Sequence, residues 1–225
     1  MTPPTAARPA WSAILFDLDG TIVDSAPGIV DRLARTLADL DIPVPDQAGL
    51  LAYVGPPLLD ALREFAGLSE ERAWEALRLY REKARAEGAE SGLTVFPGVL
   101  DVLRQVHAAG IPLGLATSKP ESQAFAIIEA LGVRELFTAM CGASEDEVRS
   151  AKADVVAEAL IRLRAAGADT SRPVLVGDRE HDVSGGAANG LPTIFVDWGY
   201  GTDEEAAPAL ARAATPDELT RLLLG

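Results

Sequence analysis

The chain is short of cysteine: Cys141 stands alone in 225 residues. No intrachain disulfide can form, and a lone thiol points to a reducing compartment, here the cytoplasm. Positive charge is also scarce. Twenty Lys and Arg face 34 Asp and Glu, giving a formal net charge of −14. That balance argues against nucleic-acid backbones and anionic membranes as partners. A small anionic substrate stays open, because one nearby cation outweighs a distant field. No apolar run approaches the length of a membrane span. The first ten residues lack the apolar centre of a signal peptide and read as a loose tail. What the chain does have is apolar residues, 48% of the total, ample for a packed core of one large domain or a domain with an insertion. We expect a monomer or homodimer.

One stretch organises the rest: Ile14-Leu15-Phe16-Asp17-Leu18-Asp19-Gly20-Thr21. An apolar run that stops at a glycine turn reads as a buried parallel strand. Ligands of open α/β sheets collect at the carboxyl ends of such strands, so Asp17 and Asp19 stand where chemistry would occur. Two acids this close repel unless a positive group lies between them. A divalent cation removes the conflict, and Mg²⁺ favours one or two carboxylates plus phosphate oxygens. Asp17 can then attack phosphorus as a carboxylate. Asp19 can give a proton to the leaving oxygen and later take one from water.

Along the chain, a helical pattern starts near Ile22 and carries Ile29, Leu33, Leu37 and Leu40. Pro43 and Pro45 break it, Gly55-Pro56-Pro57 breaks the chain again before Leu58, and Ser69 caps a third helix running to about Glu87. Residues 88–92 read as a loop. No strand pattern occurs between Ala26 and Leu93, and a single crossover needs only one helix. Residues 27–95 are therefore expected to be an inserted helical cap, with 1–26 and 96–225 forming the α/β core. After Phe96-Pro97-Gly98 strands and helices alternate, with strands expected at 112–116, 139–142, 174–176 and, last, 193–196. Thr215-Pro216-Asp217-Glu218 opens the final helix. The alternation predicts a Rossmann-like doubly wound parallel sheet covered on both faces.

Three strands end in polar groups that suit one reaction. Besides Asp17 and Asp19, Thr117 and Ser118 can grip phosphate oxygens beside a helix N-terminus. In Gly177-Asp178-Arg179-Glu180-His181-Asp182, Asp178 projects where a strand stops and Asp182 reaches the same place if a turn forms. Asp17, Asp19, Asp178 and Asp182 are the candidate metal residues. Lys152 opens a helix just past a strand end, where it can offset charge on the phosphoryl group and the nucleophile. His181 is a less favoured candidate for the base than Asp19, and Cys141 reads as a small buried residue.

Asp17-Leu18-Asp19-Gly20-Thr21, Thr117, Lys152, and Gly177-Asp178 with Asp182 resemble, in this order, the four signature motifs of the haloacid dehalogenase superfamily. The resemblance implies that Asp17 is the nucleophile and becomes an aspartyl phosphate, and that Asp19 is the acid/base. It implies that Thr117 and Lys152 hold phosphate, and that Asp178, Asp17 and the Asp19 carbonyl bind Mg²⁺. The insertion resembles the helical cap of the branch containing phosphoglycolate phosphatases. The strings Val54-Gly55-Pro56-Pro57-Leu58, Lys152-Ala153-Asp154-Val155-Val156 and Gly177 to Val183 are similar to a 5′-nucleotidase-like sub-branch, and Trp198-Gly199-Tyr200-Gly201 fits there too. Lys152-Ala153 departs from the Lys-Pro pattern common among phosphoglycolate phosphatases. The leading expectation is a Mg²⁺-dependent phosphomonoesterase acting on a small phosphorylated metabolite. Gly55 and Pro56 are expected to contact the leaving group. A phosphoglycolate phosphatase, a phosphomutase on the same core and a non-catalytic phosphate-ligand binding protein remain as alternatives. A dehalogenase is disfavoured, since it needs no Mg²⁺ and lacks an acid two residues after the nucleophile.

Overall fold

The computed structural model describes residues 10–88 and 91–225. The expected tail, up to residue 9, and positions 89–90 of the expected loop lie outside the described residues. Strand β1 (Ala13–Phe16) is buried along its whole length. Its side chains alternate between two faces: Ile14 and Phe16 enter one apolar cluster, Ala13 and Leu15 the other. Both faces are covered, which is why the run reads as continuously apolar.

The chain then forms β2 (Val23–Asp24) and four helices, α1 (Ala26–Asp39), α2 (Gln47–Leu51), α3 (Leu58–Glu64) and α4 (Glu70–Glu87), before β3 (Thr94–Val95). Beyond these come α5 (Val99–Ala108), β4 (Leu113–Pro120), α6 (Glu121–Ala130), β5 (Phe137–Ala143), α7 (Lys152–Ala165) and β6 (Pro173–Gly177). The last elements are α8 (Glu180–Ala188), β7 (Thr193–Val196), α9 (Asp203–Ala206), β8 (Ala211–Ala213) and α10 (Pro216–Leu224). The main sheet has the order β5-β4-β1-β6-β7-β8, with every pair parallel. The chain moves outward from β1 to β5, then returns to the other side of β1 with β6. The strand order thus reverses beside β1, and a crevice opens at the carboxyl ends there. Helices α5, α6 and α10 cover one face, and α7 covers the other. This is the doubly wound sheet expected from the alternation. Helices α1–α4 carry a separate apolar core that includes Leu33, Leu37, Leu62, Leu77 and Tyr80, and form the inserted cap.

Several details differ from the sequence reading. The first cap helix begins at Ala26, not near Ile22, because Ile22 and Val23 turn back to donate to the Leu18 carbonyl. Pro27, in the first turn, then starts the helix with its fixed φ. Val23–Asp24 pairs antiparallel with Thr94–Val95, a small ribbon across the two connections to the cap. Among the described residues the cap has four helices, not three. The extra one, α2, is capped by Asp46, which accepts from Gly49 N–H at 2.9 Å. The final strand is β8, not 193–196. Thr215 and Ser69 do cap their helices, accepting from Glu218 and Arg72 N–H. Among the described residues no helix is long and apolar enough to cross a membrane.

Cys141 is fully buried on β5, and burial pushes its thiol up to about 11. Below that value the protonated form dominates, so little thiolate is available. A chromogenic disulfide reagent at pH 8 should label the native protein at least about a hundredfold more slowly than the urea-unfolded chain. Comparable rates in both states would contradict the buried placement.

Candidate active site

Strands β1 and β6 are neighbours in register, with Phe16 beside Val176. Both leave the sheet at the same level, which brings Asp17 and Asp178 together. Asp17 N–H donates to the Val176 carbonyl at 2.9 Å. A turn does form after Asp178: Asp182 lies in the first turn of α8, where its Oδ2 accepts from the N–H groups of Asp178 and Arg179 at 3.1 Å each. Carboxylate oxygens of Asp17, Asp178 and Asp182 all lie within 4.8 Å of one another. Lys152, the first residue of α7, points into this group. Its Nζ is 2.7 Å from Asp17 Oδ1 and 2.7 Å from Asp182 Oδ1, and it donates to the Ala116 carbonyl on β4 at 3.1 Å.

Asp178 is fully buried and packed by backbone. A Cβ on Gly20, whose φ is +83°, would lie 2.2 Å from Asp178 Oδ2, and one on Gly199 would lie 2.3 Å from Asp178 Cβ. Glycine at both positions lets two loops close on the carboxylate. Thr21 Oγ1 and Tyr200 N–H donate to it at 3.1 and 2.8 Å. Burial raises the Asp17 carboxyl to about 6, against the pull of Lys152 and with a push from Asp182. Burial, then Asp182 and Asp17, drive Asp178 well above the usual carboxylate range. For Lys152, burial opposes the charge, but Asp17 and Asp182 outweigh it and hold the ammonium above its ordinary value. Three acids share one ammonium, so the cluster could hold a metal ion.

Asp19 is placed differently from the other three acids. Its carboxylate accepts from Lys119 Nζ, 2.9 Å from both oxygens, and from Ser25 Oγ. Thr117 and Ser118 lie on β4 and not at a helix start, because that strand continues to Pro120, which caps α6. Thr117 Oγ1 accepts from Lys119 N–H at 3.2 Å. Gly55 and Pro56 line a cleft between cap and core together with Asp19, Ser118 and Lys119. Arg179 donates to the Val54 carbonyl beside them. Lys119, Thr21, Ser25 and Tyr200 carry no role in the sequence reading. For Lys119 a signal existed, since it follows Thr117-Ser118 at a strand end. For Tyr200 the only signal was its place in Trp198-Gly199-Tyr200-Gly201.

The sequence profile of the haloacid dehalogenase-like hydrolases matches residues 14–196. This chain belongs to that family. The hydrolase is 41% identical over 214 residues to "Tyrosine-protein kinase PtkA" of Mycobacterium tuberculosis (strain CDC 1551 / Oshkosh), covering 93% of this chain and 72% of the relative. It is 38% identical over 194 residues to a "5′-nucleotidase" of Pseudomonas aeruginosa, covering 85% of each. A crystal structure of a "predicted phosphatase" from Clostridium acetobutylicum superposes with a TM-score of 0.87 at 35% identity, covering 94% of this chain and 97% of the other.

If close backbone approach is what fixes Asp178 in this hydrolase, Gly199→Ala should displace it by the added methyl. A misplacement of that size costs on the order of 10²-fold in turnover. Steady-state kinetics on a generic aryl phosphate checks this, with circular dichroism to show that the fold persists. Activity within twofold of wild type would mean that the contact does not position Asp178.

Proposed function

We propose that this hydrolase is a Mg²⁺-dependent phosphomonoesterase that acts on a small phosphorylated metabolite through an aspartyl phosphate on Asp17. Family membership makes the enzyme a phosphatase in coarse terms. The observation that carries the finer reading is the buried Asp17–Asp178–Asp182 cluster with Lys152 at 2.7 Å from two of its members. The donor set is all oxygen and carries more negative charge than Lys152 cancels, which fits a hard divalent cation. When bound by Asp17, Asp178 and the Asp19 carbonyl, Mg²⁺ would offset the charge of these groups and of the phosphoryl oxygens.

In this reading an Asp17 carboxylate oxygen bonds to phosphorus as the bond to the leaving oxygen breaks. Asp19, entering as the acid, gives that oxygen its proton. Asp19, now a carboxylate, takes a proton from water while the water oxygen attacks phosphorus, and the Asp17–phosphorus bond breaks to free phosphate and restore both groups. Thr117 and Ser118 offer hydroxyls to the phosphoryl oxygens, and Lys152 steadies the charge on Asp17. Asp182 acts by holding Lys152 and the 178–179 turn. Residues 27–95 act as a cap over the 1–26 and 96–225 core. Gly55 and Pro56 touch the leaving group, and closure excludes water during attack. The relatives named 5′-nucleotidase and phosphoglycolate phosphatase, the latter from Rhodospirillum rubrum at 34% identity, support a small phosphate ester as substrate. The lone cysteine supports a cytoplasmic setting, with the protein a monomer or homodimer.

The mycobacterial relative's name favours a second reading, transfer of a phosphoryl group to protein tyrosine. The chain's own tyrosines are poor acceptors, since Tyr53 and Tyr80 are buried and Tyr200 is half-buried. Asp17→Asn removes the nucleophile at constant volume, and should lower phosphatase turnover by more than about 10³-fold with an unchanged dichroism spectrum. Residual activity within tenfold of wild type would remove Asp17 as nucleophile. Stripping metal with EDTA should abolish turnover and Mg²⁺ should restore it, whereas full activity in EDTA would overturn the metal requirement. Labelled ATP that marks tyrosine on a test protein, with no ester hydrolysed, would select the second reading.

A further inference from the structure

Three buried polar atoms, Tyr53 Oη, Arg81 Nε and Ser118 Oγ, have no hydrogen-bond partner among the described residues. All three residues line the same cap–core cleft, next to Asp19 and Lys119. Proteins rarely leave buried polar atoms unpaired, and several in one cavity require an explanation. Two of these groups are held in place by other contacts. The Tyr53 ring meets Phe65 edge-on, with centroids 5.3 Å apart. On Arg81, Nη1 donates to the Glu145 carbonyl at 2.9 Å and Nη2 pairs with the Glu147 carboxylate. The Arg81 and Glu147 side chains are each 9% exposed, so the guanidinium is fixed, with its Nε–H left unpaired.

Charge then decides what the cleft accepts. Its two cations are paired in the structure, Lys119 with Asp19 and Arg81 with Glu147, and the Arg81 pair stays intact when Asp19 carries its catalytic proton. A leaving group bearing a carboxylate at Arg81 would add negative charge beside Glu147, whose cation is taken, or would have to break that buried pair, which is costly. A hydroxyl or carbonyl needs neither. It can accept from Arg81 Nε, and a hydroxyl can also exchange hydrogen bonds with Tyr53, while the Ser118 hydroxyl faces the phosphoryl group. We propose that Tyr53 and Arg81 are specificity-determining residues that select a neutral, hydroxyl-bearing leaving group, with Glu147 as the positioning residue for Arg81. The proposal rests on the phosphomonoesterase reading and names the substrate class of that site.

The test compares kcat/KM for glycerol 3-phosphate and a nucleoside 5′-monophosphate with that for phosphoglycolate, each as a ratio to 4-nitrophenyl phosphate. Wild type should favour at least one of the neutral-alcohol esters over phosphoglycolate by about tenfold or more, the discrimination expected when buried polar groups would otherwise stay unpaired. Tyr53→Phe keeps the ring and removes the hydroxyl. Arg81→Lys keeps the charge opposite Glu147 and removes Nε. Each should lower the ratio for the preferred ester by about tenfold. A wild-type preference for phosphoglycolate, unchanged ratios, or equal losses on every substrate would overturn the proposal. If Arg81→Lys fails to fold by circular dichroism, Tyr53→Phe and the wild-type preference decide. Wild type that hydrolyses no ester, 4-nitrophenyl phosphate included, would sink the phosphomonoesterase reading and this proposal with it. Ready hydrolysis of the aryl ester with unchanged ratios would sink this proposal alone.

Discussion

A buried ammonium among buried carboxylates is the constraint on which the core is built. Lys152 touches Asp17 at the end of β1, Asp182 on α8 and the Ala116 carbonyl on β4. One nitrogen therefore ties together three parts of the sheet's carboxyl edge and the start of α7. Removing one member of such a set strands the others without compensation, a loss of roughly 3–5 kcal/mol. The surrounding backbone is fitted to the arrangement. A Cβ on Gly177 would sit 2.2 Å from Asp182 Cγ, so the strand must end in glycine for Asp182 to reach back to the turn. The same carboxylate that pairs with Lys152 also accepts two N–H groups at the start of α8. Asp182 is thereby committed to organising the site.

A second residue carries this order outward to the cap. Tyr200 uses its main-chain N–H to hold Asp178 and its hydroxyl to hold the start of α1. A tyrosine oxygen has one proton and two lone pairs. Here it donates to Asp24 Oδ1 at 2.8 Å and accepts from Ser25 and Ala26 N–H at 2.8 and 3.0 Å. These N–H groups, of the cap position and the first helical residue, have no partner inside the helix. Ser25 stands at the cap position, but its side chain does not cap, because its hydroxyl is spent on Asp19. Ser25 is free to face the site because Pro27 has no N–H to cap and Gly28 N–H donates to the Gly92 carbonyl. Tyr200 links the acid cluster to the ribbon where the chain enters and leaves the cap.

What was legible in the sequence follows from range. The run Ile14–Phe16 ending in acids is a local pattern, as are Gly177-Asp178, the helix start at Lys152 and the caps at Ser69 and Thr215. Lys119 had a local signal in its place after Thr117-Ser118 at a strand end, but its pairing was not legible, because its partner Asp19 lies 100 positions away. The polar Thr117-Ser118 hid the continuation of β4, which is carried on to Pro120 by pairing with Ala143. Strand β8 is Ala-Arg-Ala at a sheet edge, held by backbone pairing with β7 and lacking any apolar signature. Helix α2 is five residues long, too short to show a period. Arg81 and Glu147 look like ordinary surface charges until the cap folds over the core and buries both.

The net charge of −14 gains a local meaning from these pairings. In the cleft Lys119 and Arg81 are already matched to acids, so neither brings uncompensated positive charge to a phosphate dianion. In the cluster three carboxylates meet one ammonium, an excess of two negative charges in a buried place. Burial alone relieves that excess by favouring protons on Asp17 and Asp178, which is why both are raised. A protonated Asp17 cannot act as the proposed nucleophile. A divalent cation would relieve the same excess without a proton, leaving Asp17 ionised and giving the phosphate a positive group to approach. Proton and metal thus compete for one electrostatic role, and the metal fills it while keeping the nucleophile ionised.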